Sequence, residues 1–139
     1  MLKKAAVVTA TRAEYGILKN VIDKIEKSKR LELCLLVTGT HLAPEYGLTV
    51  KEIEQDGYPI AEKIEVLLAS DTSVSVSKTM GLTMFSFAEV FERHKPDCLV
   101  VLGDRYEILA VCCAAMNAGI PIVHISSGET TQGAIDEII

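Results

Sequence analysis

The sequence predicts an α/β fold, a doubly wound parallel sheet with helices on both faces. Five short apolar runs rich in Val, Ile and Leu alternate with stretches whose apolar residues recur at helical spacing. Strands that alternate with helices in this way form βαβ units, whose crossovers are right-handed. The 139 residues fit one domain, and the 49% of hydrophobic residues supply a core and exclude a disordered chain.

The predicted strands cover residues 5–10, 31–37, 60–68, 98–102 and 120–125. The third and fourth follow the turn signals Asp56-Gly57-Tyr58-Pro59 and Lys95-Pro96-Asp97, and the fifth follows Ala118-Gly119. We expect the strand order 3-2-1-4-5, which is that of the mononucleotide-binding half of a Rossmann-type fold.

Four helices are predicted between the strands. The first has an apolar face over residues 17–25, and a short second helix covers residues 49–55. The third is expected to start at an N-cap formed by Ser70-Asp71 and to bury one stripe of side chains. That stripe consists of Val76, Met80, Met84, Phe87 and Phe91. The fourth, residues 107–117, is apolar on nearly every side.

Composition and charge disfavour several partners. The chain has 14 basic and 19 acidic residues and no basic block, which disfavours a nucleic-acid partner. No apolar run approaches the roughly 18–20 residues that cross a bilayer, and the first apolar run is too short for a signal peptide. We therefore expect no membrane partner and a cytoplasmic location. The four cysteines lie in apolar stretches without CxxC spacing, which favours buried reduced thiols; they are Cys34, Cys98, Cys112 and Cys113.

Polar residues follow four of the predicted strands, in the segments 9–16, 38–41, 103–107 and 124–131. The carboxyl ends of parallel strands meet at one edge, where ligands of such sheets bind. Arg12 lies at a strand-to-helix junction that suits an anion, although it could also be a surface arginine paired with Glu14 or another carboxylate. Neither GxGxxG nor GxxxxGK[ST] occurs, which disfavours a nicotinamide-type pyrophosphate turn and a P-loop kinase.

Four acidic residues at this edge are candidates for proton transfer. Asp104 could be the N-cap of the fourth helix, or a general acid or base beside the positive charge of Arg105. Glu129 follows a glycine near the start of a helix. Asp136 and Glu137 are adjacent and cannot both face the same ligand.

The histidines indicate no metal site. His41 follows Thr-Gly-Thr on a loop, where a functional and a structural role are equally compatible with the sequence. His124 ends a buried strand, a position more typical of a hydrogen-bonded structural histidine. The three histidines are scattered, and the sequence contains no HExxH motif or paired-cysteine ligand set.

A set of motifs in fixed order resembles the UDP-N-acetylglucosamine 2-epimerases, and most of all the hydrolysing enzymes of sialic-acid and related nonulosonic-acid biosynthesis. The resemblance runs along the whole chain. Its motifs are Thr9-Ala10-Thr11-Arg12-Ala13-Glu14-Tyr15-Gly16, Thr38-Gly39-Thr40-His41-Leu42, Tyr46-Gly47, Ile53-Glu54-Gln55-Asp56-Gly57, Gly103-Asp104-Arg105-Tyr106-Glu107, Pro121-Ile122-Val123-His124-Ile125, Gly128-Glu129-Thr130-Thr131 and Gly133-Ala134-Ile135-Asp136-Glu137.

The resemblance implies one half of a glycosyltransferase-B type fold, in which two Rossmann-like domains hold a UDP-sugar between them. Residues 1–139 would be the amino-terminal domain, inactive without the carboxyl-terminal one, and the full-length protein is expected to be a homo-oligomer. The implied reaction turns UDP-N-acetylglucosamine into UDP and N-acetylmannosamine: the C2 proton is lost, UDP leaves by anti elimination, and water adds to the glycal. No metal or redox cofactor is implied.

The resemblance also assigns roles to residues. Arg12, Gly16 and Arg105 would bind the UDP-sugar, and His41 would line the sugar side. Asp104 would be an acid/base residue, with Glu129 and Asp136 as further carboxylates. Which carboxylate performs which step stays open, because Ser126 stands where many relatives carry a carboxylate. The alternatives are a non-hydrolysing epimerase that returns UDP-N-acetylmannosamine and a stand-alone flavodoxin-like binding domain.

Overall fold

The computed structural model describes residues 2–67 and 70–125. Within them, five strands form one sheet in which every neighbouring pair is parallel. The strands are β1 (Lys3–Thr9), β2 (Leu31–Thr38), β3 (Ile60–Ile64), β4 (Cys98–Leu102) and β5 (Ile122–Ile125). Their order is β3-β2-β1-β4-β5, which confirms the predicted order.

Four α-helices connect the strands: α1 (Arg12–Lys27), α2 (Val50–Gln55), α3 (Ser73–His94) and α4 (Tyr106–Asn117). Two short 3-10 turns, Gly39–Leu42 and Pro44–Tyr46, lie between β2 and α2. None of the helices in the described part of the chain combines the length and apolarity needed to cross a bilayer.

Each face of the sheet packs on its own helices. In β1, Ala6 and Val8 belong to the core formed with α3 and α4, whereas Ala5 and Val7 belong to the core formed with α1 and α2. Successive side chains of a strand point to opposite faces, so a strand covered on both sides must be apolar throughout. The doubly wound class is therefore confirmed.

Two strands are shorter than predicted. β3 ends at Ile64 rather than at residue 68, because its neighbour β2 ends at Thr38, which pairs with Ile64. The Thr38 hydroxyl closes this end by donating to the Ile64 carbonyl at 2.5 Å. β5 begins at Ile122 rather than at residue 120, because the Ile120 N–H belongs to the helix end and donates to Ala115 O at 2.9 Å.

The start and the buried face of α3 differ from the prediction. The N-cap is Thr72, whose hydroxyl accepts the Ser75 N–H at 3.1 Å, and Ser70-Asp71 precedes the helix. Phe87 and Phe91 are buried as predicted, but Met84 is exposed. Other buried residues of α3 are Thr79, Thr83 and Val90. Threonine can be buried here because the Thr83 hydroxyl donates to the Thr79 carbonyl within the helix at 2.7 Å.

All four cysteines are free. Cys34 is buried, and Cys98, Cys112 and Cys113 are half-buried, which makes these three less buried than predicted.

Candidate active site

Two adjoining cavities lie at the carboxyl edge of the sheet. The acidic cavity, about 640 Å³, is lined by residues that follow β2 and β3. The arginine cavity, about 400 Å³, is lined by residues that follow β1, β2 and β4, among them Thr11, Thr40 and Arg105. Both cavities share the wall formed by Tyr46, Leu67, Ser70 and Asp71. The binding edge expected from the sheet topology therefore carries a two-part cleft.

Arg105 supplies the positive charge of the arginine cavity. Its Nε and Nη2 atoms donate to the two carboxylate oxygens of Glu107, each at 2.9 Å. The Glu107 side chain is fully buried, whereas that of Arg105 is 39% exposed. The guanidinium also lies 5.4 Å from the centre of the Tyr106 ring. Glu107 raises the pKa of Arg105. The result is a permanently charged guanidinium, held at one edge and accessible to a ligand at the other.

Asp104 does not cap the fourth helix. Arg105 occupies the N-cap position of α4 and makes no side-chain cap hydrogen bond. Asp104 is half-buried between the end of β4 and this N-cap, and the carboxylate that pairs with Arg105 is Glu107 instead. The N-cap interpretation of Asp104 is therefore wrong, and its acid/base role stays a prediction.

Glu14 is a buried carboxyl group that sequence reasoning considered only as a partner of Arg12. Its side chain turns inward, and Oε2 accepts the Ala10 N–H at 3.0 Å. Oε1 has no hydrogen-bond partner among the described residues. Burial raises the pKa of Glu14 to about 7; the charge of Glu107 adds to this increase, and that of Arg105 opposes it. Thr11 three residues before Glu14 is the spacing of a capping box, a signal that predicts a glutamate bent back toward the helix start.

The pKa of Glu14 predicts a pH-dependent stability. The folded-state pKa is raised above the ordinary value of 4.5, so the folded protein binds more protons than the unfolded chain between about pH 4.5 and 7. Stability from this group is complete below pH 4.5 and is lost as the pH rises through 7. Because of Glu14, we expect the free energy of unfolding of the full encoded protein, measured with urea, to decrease by about 1–3 kcal/mol from pH 4.5 to pH 7.

The variant Glu14→Gln stays neutral and tests this expectation. It should reduce the pH dependence between pH 4.5 and 7 without weakening the protein at pH 8. The matched control is Glu45→Gln, an exposed glutamate that should leave the pH dependence as it is. An unchanged slope in Glu14→Gln would show that Glu14 ionises normally.

Arg12 and Gly16 lie on the exposed side of α1. The Arg12 side chain is 68% exposed, and its Nε donates to Glu52 of α2 at 2.9 Å. The surface ion pair considered from the sequence therefore exists, but its partner is Glu52 and not Glu14. An exposed pair of this kind contributes about 0–1 kcal/mol, so a phosphate could replace Glu52 at little cost. A Cβ added at Gly16 would meet no atom within 4 Å.

His41 is fully buried behind the cleft wall. Its two ring nitrogens lie 2.9 Å from the hydroxyl oxygens of Thr9 and Thr49. The Tyr15 ring packs edge-to-face on it, with the ring centres 6.2 Å apart. Burial lowers the pKa of His41 to about 4, so the ring is neutral. The histidine joins β1 and α1 to the segment between β2 and α2. This arrangement fits a structural role for His41 and not a functional one.

Of the remaining site candidates, His124 lies within the described residues and the others do not. His124 donates from Nε2 to the Gly103 carbonyl, which fits its predicted structural role and ties β5 to the end of β4. Glu129, Asp136 and Ser126 lie outside the described residues.

Gly39 and Ala10 hold the ends of β1 and β2 together. The Ala10 carbonyl accepts the Thr40 N–H at 2.9 Å and the Thr40 hydroxyl at 3.1 Å. Gly39 has φ +64°, and a Cβ added there would lie 2.7 Å from that carbonyl oxygen. Only glycine allows this approach, which places Thr40 in the wall of the arginine cavity.

Comparisons with known proteins agree with this architecture. A family model described as UDP-N-acetylglucosamine 2-epimerase matches residues 23–139. The GDP/UDP-N,N'-diacetylbacillosamine 2-epimerase (hydrolyzing) of Campylobacter jejuni subsp. jejuni is 47% identical over 137 residues, 99% of this chain and 35% of that protein. The UDP-N,N'-diacetylbacillosamine 2-epimerase (hydrolyzing) of Legionella pneumophila subsp. pneumophila is 41% identical over 139 residues, 100% of this chain and 37% of that protein.

A solved structure shows the same arrangement of strands and helices. The UDP-GlcNAc 2-epimerase from Neisseria meningitidis, bound to UDP-GlcNAc, superposes with a TM-score of 0.74 at 25% identity. The alignment covers 94% of this chain and 34% of that one. The chain thus spans about a third of the length of the proteins it matches. The predicted half of a glycosyltransferase-B type fold is confirmed.

Proposed function

Because the chain belongs to the UDP-N-acetylglucosamine 2-epimerase family, we propose that the full encoded protein is a hydrolysing UDP-sugar 2-epimerase. It would release UDP and a free sugar inverted at C2. Two relatives at 47% and 41% identity carry the hydrolysing reaction in their names, and both act on N,N'-diacetylbacillosamine linked to a nucleotide. We therefore propose a UDP-2,4-diacetamido-2,4,6-trideoxy sugar as the substrate, with UDP-N-acetylglucosamine as the second candidate.

The observation that carries this proposal is the fixed charge of Arg105 in the cleft. When UDP leaves, negative charge develops on the diphosphate, and a preorganised guanidinium stabilises it most at that moment. The bidentate contact with Glu107 holds the guanidinium in place, and Arg12 offers a second positive charge on α1. A site for a neutral ligand would not need these two charges.

The proposed reaction is an elimination followed by a hydration. A base takes the C2 proton while the bond between C1 and the UDP oxygen breaks, which leaves a double bond between C1 and C2. Water then adds its hydroxyl to C1. A proton is added to C2 on the face opposite to the one from which the base removed the first proton, which inverts C2. We propose Asp104 as one of the acid/base groups, with Glu129 and Asp136 as the other carboxylates.

We further propose that a second domain completes the cleft. The matched relatives are about three times as long as this chain. The described lining of the two cavities contains one cation, Arg105, which suits a diphosphate. The rest of the encoded protein would then supply uridine recognition, and residues 1–139 alone should give little turnover.

Product analysis tests the proposed function. The full encoded protein should convert UDP-2,4-diacetamido-2,4,6-trideoxy-glucose into UDP and the free C2-inverted sugar, with one deuteron at C2 when the solvent is D2O. NMR distinguishes a free sugar from an intact nucleotide sugar. Accumulation of an intact C2-inverted UDP-sugar would favour the non-hydrolysing epimerase, and absence of any turnover or UDP binding would contradict both.

A further inference from the structure

The acidic cavity differs in chemistry from the arginine cavity beside it. Its walls carry the carboxylates Glu45, Glu65 and Asp71, and its described lining contains no Lys, Arg or His. The other lining side chains are mostly apolar; they include Leu42, Ala43, Pro44, Leu48, Val66 and Leu67. Among the described lining residues of the two cavities, the one cation is Arg105, which lies in the arginine cavity.

This separation of charge orients a nucleotide-sugar. Glu45 and Glu65 line only the acidic cavity and would repel a diphosphate there, so the diphosphate belongs beside Arg105. The two cavities share Tyr46, Leu67, Ser70 and Asp71, and one ligand can therefore extend from the first into the second. The part of the ligand that reaches the acidic cavity must be uncharged, with apolar groups and hydrogen-bond donors.

We propose that the acidic cavity binds the acetamido and methyl substituents of the sugar and thereby selects a 2,4-diacetamido-6-deoxy sugar over N-acetylglucosamine. This inference rests on the proposed function. The first sugar has an amide at C4 and a methyl group at C6, where N-acetylglucosamine has two hydroxyls. The C6 methyl group fits the apolar wall, where a C6 hydroxyl would lose hydrogen bonds to water. At C4, an amide N–H can donate to a carboxylate while its acetyl methyl packs on apolar side chains, whereas a hydroxyl offers the hydrogen bond alone.

The wall of the acidic cavity is built before any ligand arrives. The Ala43 N–H donates to Thr40 O at 3.2 Å, and the Leu48 N–H donates to Ala43 O at 3.3 Å. Behind this segment, the buried ring of His41 contacts Thr9 and Thr49. A preformed pocket discriminates between substituents because its residues do not have to be ordered when the ligand binds.

Narrowing the pocket tests the proposal. Ala43 is half-buried, has extended backbone angles and lines the acidic cavity but not the arginine cavity. In the full encoded protein, Ala43→Leu should lower kcat/KM for the UDP-diacetamido sugar about tenfold more than for UDP-N-acetylglucosamine. The matched control is Ala88→Leu on the exposed face of α3, which should leave the ratio of the two kcat/KM values unchanged.

A second variant guards against a folding defect. Glu65 is exposed, so Glu65→Ala should not affect folding, and it should shift the same ratio by about threefold in the same direction. The inference would be overturned, while the proposed function stands, if kcat/KM fell equally for both substrates. It would also be overturned if neither variant changed the ratio of the two kcat/KM values. If the unmodified protein turns over neither substrate, the proposed function itself fails, and the inference fails with it.

Discussion

Replacing Arg105 with methionine is expected to lower kcat/KM of the full encoded protein for its UDP-sugar by about 100- to 1,000-fold. The guanidinium is the one cation among the described residues that line the arginine cavity, and Glu107 holds it with two 2.9 Å hydrogen bonds. Methionine keeps a similar length and apolar stem but offers neither charge nor donor to the diphosphate. The loss should fall largely on kcat, because charge on the diphosphate develops as UDP leaves.

The same change also destabilises the fold, and the two effects can be separated. Without Arg105, the fully buried Glu107 has lost its ion-pair partner, which should cost about 2–3 kcal/mol because Arg105 is itself partly exposed. The double variant Arg105→Met/Glu107→Met removes both charges and should recover most of this stability. Urea unfolding measures stability, and UDP release measures kcat/KM.

Activity in the double variant decides the role of Arg105. It should stay as low as in Arg105→Met, because the cation is still missing. The control is Arg93→Met: Arg93 pairs with Glu62 at 2.5 Å, but it lies at the end of α3, away from the cleft. That variant should keep its activity. Recovery of turnover in the double variant would show that Arg105 only stabilises the fold.

Replacing Gly39 with alanine should destabilise the full encoded protein by about 2–5 kcal/mol. An alanine there has two costs. The left-handed backbone at φ +64° costs about 1–2 kcal/mol for a residue with a Cβ. The Cβ would also lie 2.7 Å from the Ala10 backbone oxygen, so the ends of β1 and β2 must separate, at a cost typical of overpacking, about 1–3 kcal/mol.

Gly57→Ala is the matched control for this variant. Gly57 has φ +82°, but a Cβ added there meets no atom within 4 Å. It should therefore cost only the backbone term, about 1–2 kcal/mol. The difference between the two variants in the urea midpoint measures the overlap with Ala10. Equal midpoints would mean that the close approach of Gly39 to Ala10 does not hold the ends of β1 and β2 together. Because Thr40 follows Gly39 and lines the arginine cavity, Gly39→Ala should also raise KM for the UDP-sugar.

Much of the fold was predictable because its signals are local. Apolar runs bounded by turn residues gave the five strands in their correct order, and the carboxyl edge of the sheet was correctly identified as the place of the cleft. The errors concern elements whose limits depend on a neighbour. β3 ends where its partner β2 ends, at Thr38. The buried face of α3 includes Thr79 and Thr83, because a threonine hydroxyl can be satisfied inside a helix, which hydropathy alone does not reveal.

The chemistry of individual site residues was less predictable. Sequence reasoning singled out Arg12, Asp104, Arg105 and His41, all of which the structure places near the carboxyl edge of the sheet. It did not identify Glu107 as the partner of Arg105. Arg105 and Glu107 are two residues apart, at the boundary between a loop and α4. Their side chains meet because the backbone of Arg105, at the N-cap, is still extended.

Local hydrophobic patterns and motifs in a fixed order were sufficient to predict the fold class, the strand order, the family and the edge of the sheet that carries the cleft. The state of each polar group, in contrast, depends on how the chain is packed. Glu14 is buried with a raised pKa, and His41 is neutral between Thr9 and Thr49. Burial and pairing are set by residues distant along the chain, and those contacts exist only after the sheet and its helices have packed.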